Sequence, residues 1–519
     1  MMRKTVFAAF IIALISLASC RTDFDFQPST GSLAFSKDTV YLDTVFTDIG
    51  SSTYTLKVYN KSNDNISIPT IQLGKGLASK YRITVDGMTG NNGKIFNNVE
   101  LLAKDSLFIF VETTANIADA NPDDFLYTDQ IQFGNATDFQ KVELVTLIQD
   151  AVFLYPQKFE DGTTETLTLG SGENAQQIYG FFLDDNDPVH GNEYQLTNDK
   201  PYVIYGYAGV ASGKTLNIEA GARLHFHADS GIIVANGATL NVNGNVSSTE
   251  ALENEVIFEG DRLEPGFSDV PGQWGLVWLT SGSMGHINHL TLKNSVVGFL
   301  VENNAGEMSV SNTQIYNNSV AGILARNGNI SGENLVINNC GQACFAGTYG
   351  GKYNMTHCTF NNDWPTSAQS AVLLNNFIEG ADPESNPLTE ANFNNCIIYG
   401  SNQGELNLLK YDQTQTFNYK FDHCLIRFNN VDNEFTNNPL YNFSDPTLYD
   451  GCLIAKTSQQ FDPKFFNADN NKLNISPESA AFQTGSTSFS VPVDVNGTVR
   501  TSNPPDMGAY QSAAFPEEN

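Results

Sequence analysis

An all-β protein is predicted: an antiparallel β-sandwich followed by a right-handed parallel β-helix. Three observations predict it. Residues 32–150 run in short stretches of alternating apolar and polar residues. Residues 289–362 repeat, with Leu292, Ile315, Ile337 and Phe360 spaced 23, 22 and 23 apart. Asparagines recur two positions after each of those apolar residues, as Asn294, Asn317, Asn339 and Asn362. Alternation over short runs bounded by turn clusters is the mark of a half-buried sheet. A period of 22–28 residues built from short strands is the mark of a solenoid, and the absence of an LxxLxL pattern excludes a leucine-rich repeat.

The chain begins MMRKTVFAAFIIALISLASC. Arg3 and Lys4 precede an apolar run from Val6 to Leu17 that is short for a bilayer span. Residues 1–19 therefore read as a signal peptide. LASC resembles a bacterial lipobox, which implies that Cys20 is lipidated and anchors the protein to a membrane through its lipid. RTDFDFQPST, in the tether 20–31, resembles the surface-export signals of Bacteroidetes lipoproteins. That resemblance implies an outer-membrane lipoprotein at the cell surface, with a periplasm-facing orientation as the alternative.

Lys and Arg number 27 against 57 Asp and Glu, a net charge of -30. Such a surface has nothing with which to displace counterions from a phosphate backbone, so nucleic acid is excluded as a partner. Only 16% of residues are charged, and Gly, Asn, Ser and Thr are abundant, which argues for an ordered β protein over an acidic disordered chain.

Within 32–150, SLAFSKDTVYLDTVF, STYTLKVYN, YRITVDG, DSLFIFVETT, DQIQFG and KVELVTLIQ read as strands separated by clusters such as KSNDN and TGNNG. DTVFTDIGSSTYTLKVYNKS resembles the immunoglobulin-like domains of bacterial surface proteins and of some ciliary and centrosomal proteins. The resemblance implies a spacer or contact module and no chemistry. Residues 151–199 are expected to be a connecting segment and N-terminal cap.

The β-helix is placed at 200–460, roughly ten coils, with insertions near 262–272 and 376–390. Asn294, Asn317, Asn339 and Asn362 are expected to form a ladder at one bend, because Asn tolerates the left-handed backbone and its amide can both donate and accept along the column. Cys358, Cys396, Cys424 and Cys452 each lie two residues before an apolar strand residue, so they are expected inside as free thiols, with a disulfide between adjacent coils as the alternative. His357 and His423, one residue earlier, are expected outside. Trp274 and Trp278 are expected on one face, packed in the core.

The stretch 200–460 resembles the pectin-lyase-like superfamily, which holds polysaccharide lyases, glycoside hydrolases, epimerases and adhesins alike. In 461–519, DPKFFNADNNKLNISPESAAFQTG, DVNGTVR and PPDMGAYQ resemble the C-terminal module of bacterial surface β-helix proteins. That module is expected to close the open end of the solenoid, whose last strands would otherwise invite edge pairing.

Two functions follow as expectations. The first is binding of a polysaccharide or surface glycan, or adhesion, by a monomeric envelope lipoprotein without catalysis. The second is a polysaccharide lyase or other carbohydrate-active enzyme. For the second, Lys410, Tyr411, His423 and Arg427 are the candidate catalytic residues, supplying a neutraliser for a sugar carboxylate and bases for proton abstraction. No metal site and no cofactor are expected, with calcium left open.

Overall fold

The computed structural model describes residues 25–135, 138–170, 175–380, 383–411 and 414–516. Cys20 and the signal peptide lie outside the described residues. The chain divides into two compact units, Met1–Asp150 and Ala151–Asn519.

The first unit is a sandwich. One sheet runs in the order Gln27–Pro28, Ile66–Leu73, Leu126–Asn135, Asp138–Gln149, Thr39–Phe46, with Ile95–Leu101 also on Ile66–Leu73. The other runs Leu33–Phe35, Tyr54–Asn60, Ser106–Thr113, Tyr81–Val85. Alternation decides which side faces in. In Ser106–Thr113, Leu107, Ile109 and Val111 are buried, while Phe108 and Phe110 between them are exposed. Against the expectation of an antiparallel sandwich, two pairings are parallel: Asp138–Gln149 with Thr39–Phe46, and Gln27–Pro28 with Ile66–Leu73.

The second unit is a β-helix whose coils each contribute to three parallel ladders. We call these faces A, B and C. Face A is an 11-stranded sheet from Val152–Leu154 to Leu453–Ala455. Face B includes Tyr207–Val210, Gly231–Val234, Trp274–Leu279, Ser295–Glu302, Ser370–Asn375 and Leu406–Leu409. Face C includes Thr215–Glu219, Thr239–Asn243, Met284–Asn288, Met308–Ser311, Leu388–Asn394 and Lys420–Asp422. Two long strands, Ala321–Glu333 and Ala343–Thr356, bend from face B into face C.

The stack starts earlier than position 200. Val152–Leu154 pairs with Tyr202–Ile204, Gln176–Phe182 with Tyr207–Val210, and Gln195–Leu196 with Thr215–Glu219, all parallel. The expected connector at 151–199 is thus the first coil. Its long loops hid the repeat. The hairpin strand Thr166–Leu169 lies antiparallel on this coil and brings Leu167 into a buried position.

Aromatic rings stack inside from coil to coil. Phe345, Phe360, Phe393 and Phe421 are fully buried. Phe393 and Phe421 stack at 5.0 Å, and Phe421 and Tyr449 at 5.5 Å. Burying each such ring is worth about 1.5–3 kcal/mol. Trp274 joins this core on Phe226 at 4.3 Å. Trp278 does not: Val277 and Leu279 on either side of it are buried, while Trp278 is half-buried and donates from Nε1 to Glu302 Oε2 at 2.9 Å.

Two bends carry left-handed residues. From face A to face B the column is Asn294, Asn317 and Asn339, with φ of 67°, 54° and 57°. Asn339 Nδ2 donates to Asn317 Oδ1 at 2.8 Å, whereas Asn294 Nδ2 donates to the Ser268 carbonyl at 2.8 Å. Asn362 leaves this column. Its chain continues into the excursion 363–369 instead of bending at once, and its buried amide is held by the Cys340 N–H and carbonyl, each at 2.9 Å.

From face C to face A the bend is a single left-handed residue per coil: His289, Asn312, Asn334, His357, Asn395 and His423. Asn334 Nδ2 donates to Asn312 Oδ1 at 2.9 Å, and Asn395 Nδ2 meets His357 Nε2 at 3.0 Å. Cys358, Cys396 and Cys424 each follow one of these residues, point inward, and are free, fully buried thiols. Cys452 continues the column as a free thiol at intermediate exposure.

Residues 461–516 do not close the end of the solenoid. They run back along the outside of face A as a strap. Asn338 Nδ2 donates to the Ala468 carbonyl at 2.9 Å, the Ala509 N–H donates to Thr359 Oγ1 at 3.0 Å, and Tyr510 OH donates to Gln314 Oε1 at 3.1 Å. Ile475, Ala481 and Met507 pack on Ile397, Tyr399 and Leu425, and Leu473 and Val495 on Tyr316 and Val336. Face A strands such as Ile397–Gly400 are buried on both sides, so they need this cover. The strap also buries His357, whose Nδ1 lies 3.2 Å from the Gly508 carbonyl, against the expectation of a surface residue. His423 is half-buried beside Asp422. The end of the coil stack is filled instead by the loop 428–449, where Phe428 and Tyr441 stack at 4.7 Å and Phe443 meets Tyr449 at 4.6 Å.

Candidate functional site

The four residues singled out from sequence do not gather into a site. Lys410 and Tyr411 follow the face B strand Leu406–Leu409, and Tyr411 is exposed beside Phe377. His423 sits in the bend between faces C and A, 2.7 Å from Asp422 Oδ1. Arg427 ends a face A strand, is only 6% exposed, and donates to the Ala455 carbonyl at 3.2 Å. A coil of 22–28 residues carries positions 410 to 427 around three sides of the triangle, so closeness in sequence does not become closeness in space.

A well-formed concavity lies elsewhere, on face B. It is a groove of about 730 Å³ over several successive coils. Its floor is made of small and apolar residues, Ala321, Leu324, Ala343, Ala346 and Leu373. One wall is the excursion 367–370, and another is the aromatic loop of Phe428, Phe435 and Tyr441. Gln342, Gln369, Asn402, Gln403, Asn407 and Asn429 supply amides. Among the described lining residues Glu434 is the only ionisable acid, and Lys, Arg and His are absent.

Beneath that wall lies an unusual pair. Gln369 is 4% exposed and Glu405 is fully buried. Gln369 Nε2 donates to the Asn362 carbonyl at 3.0 Å, and the Asn402 N–H donates to Glu405 Oε1 at 2.7 Å. Gln369 Oε1 and Glu405 Oε2 lack a well-formed hydrogen bond among the described residues. Burial pushes the Glu405 carboxyl up to about 8, so it is largely protonated at neutral pH. Gly400 makes room for it: a Cβ there would stand 2.4 Å from Glu405 Oε1.

A second cavity of about 630 Å³ lies where the strap crosses the outside of face A. Its polar groups are already bonded to one another. Thr291 Oγ1 donates to Glu255 Oε2 at 2.7 Å, and Tyr316 and Tyr510 both donate to Gln314 Oε1. Beneath the groove on face B, by contrast, Gln369 Oε1 and Glu405 Oε2 are buried without a well-formed hydrogen bond among the described residues. Neither Gln369 nor Glu405 was found by sequence reasoning. The available signal was the excursion WPTSAQ after CTFNN, which breaks the repeat at the place where the groove wall rises.

No protein-family model and no curated protein matches this chain. Among solved structures, the E. coli chaperone DraB is similar at 14% identity, over 24% of this chain and 57% of that one, with a TM-score of 0.16. The PapD-like domain 7 of human CEP192 is similar at 10% identity, over 24% of this chain and 91% of that one, with a TM-score of 0.15. The chain is a two-part all-β protein, a β-sandwich followed by long parallel sheets wound as a β-helix.

Proposed function

We propose that this chain is a cell-envelope lipoprotein, anchored through Cys20, whose β-helix binds an extended, uncharged glycan in the groove on face B. One observation carries the reading: the groove joins an apolar floor and an aromatic wall to a rim of amides, without a cation to neutralise a sugar carboxylate. Sugars present apolar C–H faces and a fringe of hydroxyl donors, which such a lining satisfies. The overall charge of -30 also disfavours polyuronates at any distance that salt does not screen.

Isothermal titration with neutral and uronate-containing oligosaccharides tests the reading. Neutral oligosaccharides are expected to bind and uronates not. Gln369→Ala should weaken binding roughly tenfold, the loss of one or two hydrogen bonds. Tight uronate binding with no response to Gln369→Ala would remove the groove from consideration. The anchor has its own check: Cys20→Ala should move the protein from the membrane fraction to a soluble one.

A second reading, a carbohydrate-active enzyme of the glycoside hydrolase or lyase kind, is favoured by Glu405, a carboxyl held protonated beside the groove as a general acid must be. Release of sugar products that stops in Glu405→Gln, at unchanged stability, would establish that reading in place of simple binding.

A further inference from the structure

A separate cluster stands on the first coil, far in sequence from the groove. The loop Asp187–Glu193 is pinched by reciprocal backbone bonds between Asp187 and Gly191, at 2.8 and 2.9 Å. It brings three potential ligand atoms to one point: Asp187 Oδ1, His190 Nδ1 and Glu193 Oε1 all lie within 4.8 Å of one another. His190 Nδ1 is 3.3 Å from the first oxygen and 3.0 Å from the second. We propose that Asp187, His190 and Glu193 bind a transition-type divalent cation, zinc in the first instance.

The chemistry of the set supports this. Two carboxylates and an imidazole nitrogen converge, and Nδ1 carries at most one proton to share between two oxygens. A cation held by the imidazole nitrogen, Glu193 and the Asp187 carboxylate resolves that shortage. Ligands at about 2.0–2.1 Å in a tetrahedron stand roughly 3.3 Å apart, close to the separations already present. The loop is also held ready. Glu193 is 8% exposed, and its other oxygen accepts the Asp184 N–H at 2.9 Å. The N–H groups of His190 and Val189 bond Asp187 Oδ1 and hold that carboxyl below its usual range.

A cavity of about 260 Å³ adjoins the cluster, lined by His190, Glu193, Lys200 and Tyr202 among others. It offers room for a fourth ligand, such as water. Asp187 and His190 side chains, 26% and 25% exposed, leave an entry path for the ion. Calcium takes six to eight oxygens, more than this loop supplies, and imidazole favours zinc and its neighbours. Bound there, the ion would tie the loop before the first face C strand to that strand's own base.

The full-length chain, untagged and freed of metal with EDTA, is titrated with zinc chloride and with calcium chloride by calorimetry at neutral pH. One zinc per chain is expected, with calcium failing to displace it. His190→Ala and Asp187→Asn should each weaken zinc binding roughly tenfold or more. Both side chains are partly exposed, so melting in EDTA should not change. Cobalt uptake should show a visible spectrum without thiolate charge transfer, which separates this site from the cysteine column. Absence of uptake, uptake undiminished in His190→Ala, a thiolate band, or a preference for calcium would each overturn the proposal.

Discussion

The two bends of the solenoid share one left-handed backbone conformation, yet they face different surroundings. The bend from face C to face A is sealed. The strap crosses it, and Asn395 alone bonds the Ser486 N–H, the Ser486 carbonyl and His357. The bend from face A to face B is covered over Asn294 and Asn317 by the loop 262–272 and opens beyond them. Beyond Asn339 its column lapses, the chain wanders through 363–369, and the groove forms there. Regular stacking builds the scaffold, and the site arises where one column is allowed to fail.

That contrast can be broken by mutation. The largest effect is expected on the sealed side. Leu473 is fully buried between the strap and Val336, and Leu473→Ala should destabilise the β-helix by about 2–5 kcal/mol in denaturant unfolding. Leu373, on the groove floor and partly open to solvent, should cost about 1 kcal/mol or less on the same change. Equal losses at the two positions would mean that the strap is not a structural seal.

The next effect separates the columns themselves. Asn395→Leu strands both Ser486 groups, and Asn317→Leu strands the Asn339 amide. Each loss is about 1–3 kcal/mol, with Asn395 the greater because it serves more partners. A leucine in the left-handed region adds about 1–2 kcal/mol at either site. Thermal unfolding of the two variants side by side gives the order. A smaller loss at Asn395 would contradict the sealed–open distinction.

The finest test uses pH, because the two sides carry buried groups shifted in opposite senses. On the open side the Glu405 carboxyl is raised from 4.5 to about 8. The folded chain keeps a proton that the unfolded chain releases, so its contribution is full below about pH 4.5 and is lost as pH rises to about 8. On the sealed side, burial and then Arg500 lower His357 from 6.5 to about 3. Here the unfolded chain takes the proton first, so stability is full above pH 6.5 and is lost as pH falls toward 3. Glu405→Gln should raise stability above pH 8 by up to a few kcal/mol, at about 1.4 kcal/mol per unit of separation. His357→Asn should flatten the acid limb and leave the alkaline one alone. Parallel pH profiles for wild type and both variants would show that neither shift exists.

Much of the scaffold was legible in the residues. The short apolar runs of 32–150, DSLFIFVETT among them, marked strands of the sandwich, and the 22–23-residue spacing located the coils of face A. The column at Asn294, Asn317 and Asn339 was found because it repeats at a fixed offset. The longer column on the sealed side was overlooked because histidine and asparagine alternate in it, and a mixed column has no single-letter signature. The candidate cluster at Lys410, Tyr411, His423 and Arg427 was drawn from proximity along the chain, which a triangular coil undoes. Gln369 and Glu405 were hidden for a related reason. A buried acid and an orphaned amide are made by three-dimensional enclosure, and nothing in GELNLL announces it.

The strap also changes how this solenoid must come into being. A bare stack of coils couples only neighbours, and each added turn can settle on the one before it. Here residues 461–516 bond to positions 314, 338, 359 and 395, which are separated from their partners by roughly 90 to 200 residues. Those links make contacts of high sequence separation and bind nonadjacent coils into one cooperative unit. Synthesis runs from the N-terminal side, so the coils emerge with their apolar outer face still bare. The strap, made after the coils, therefore sets the moment at which they are covered, and until it arrives face A is the surface by which one unfinished chain can pair with another.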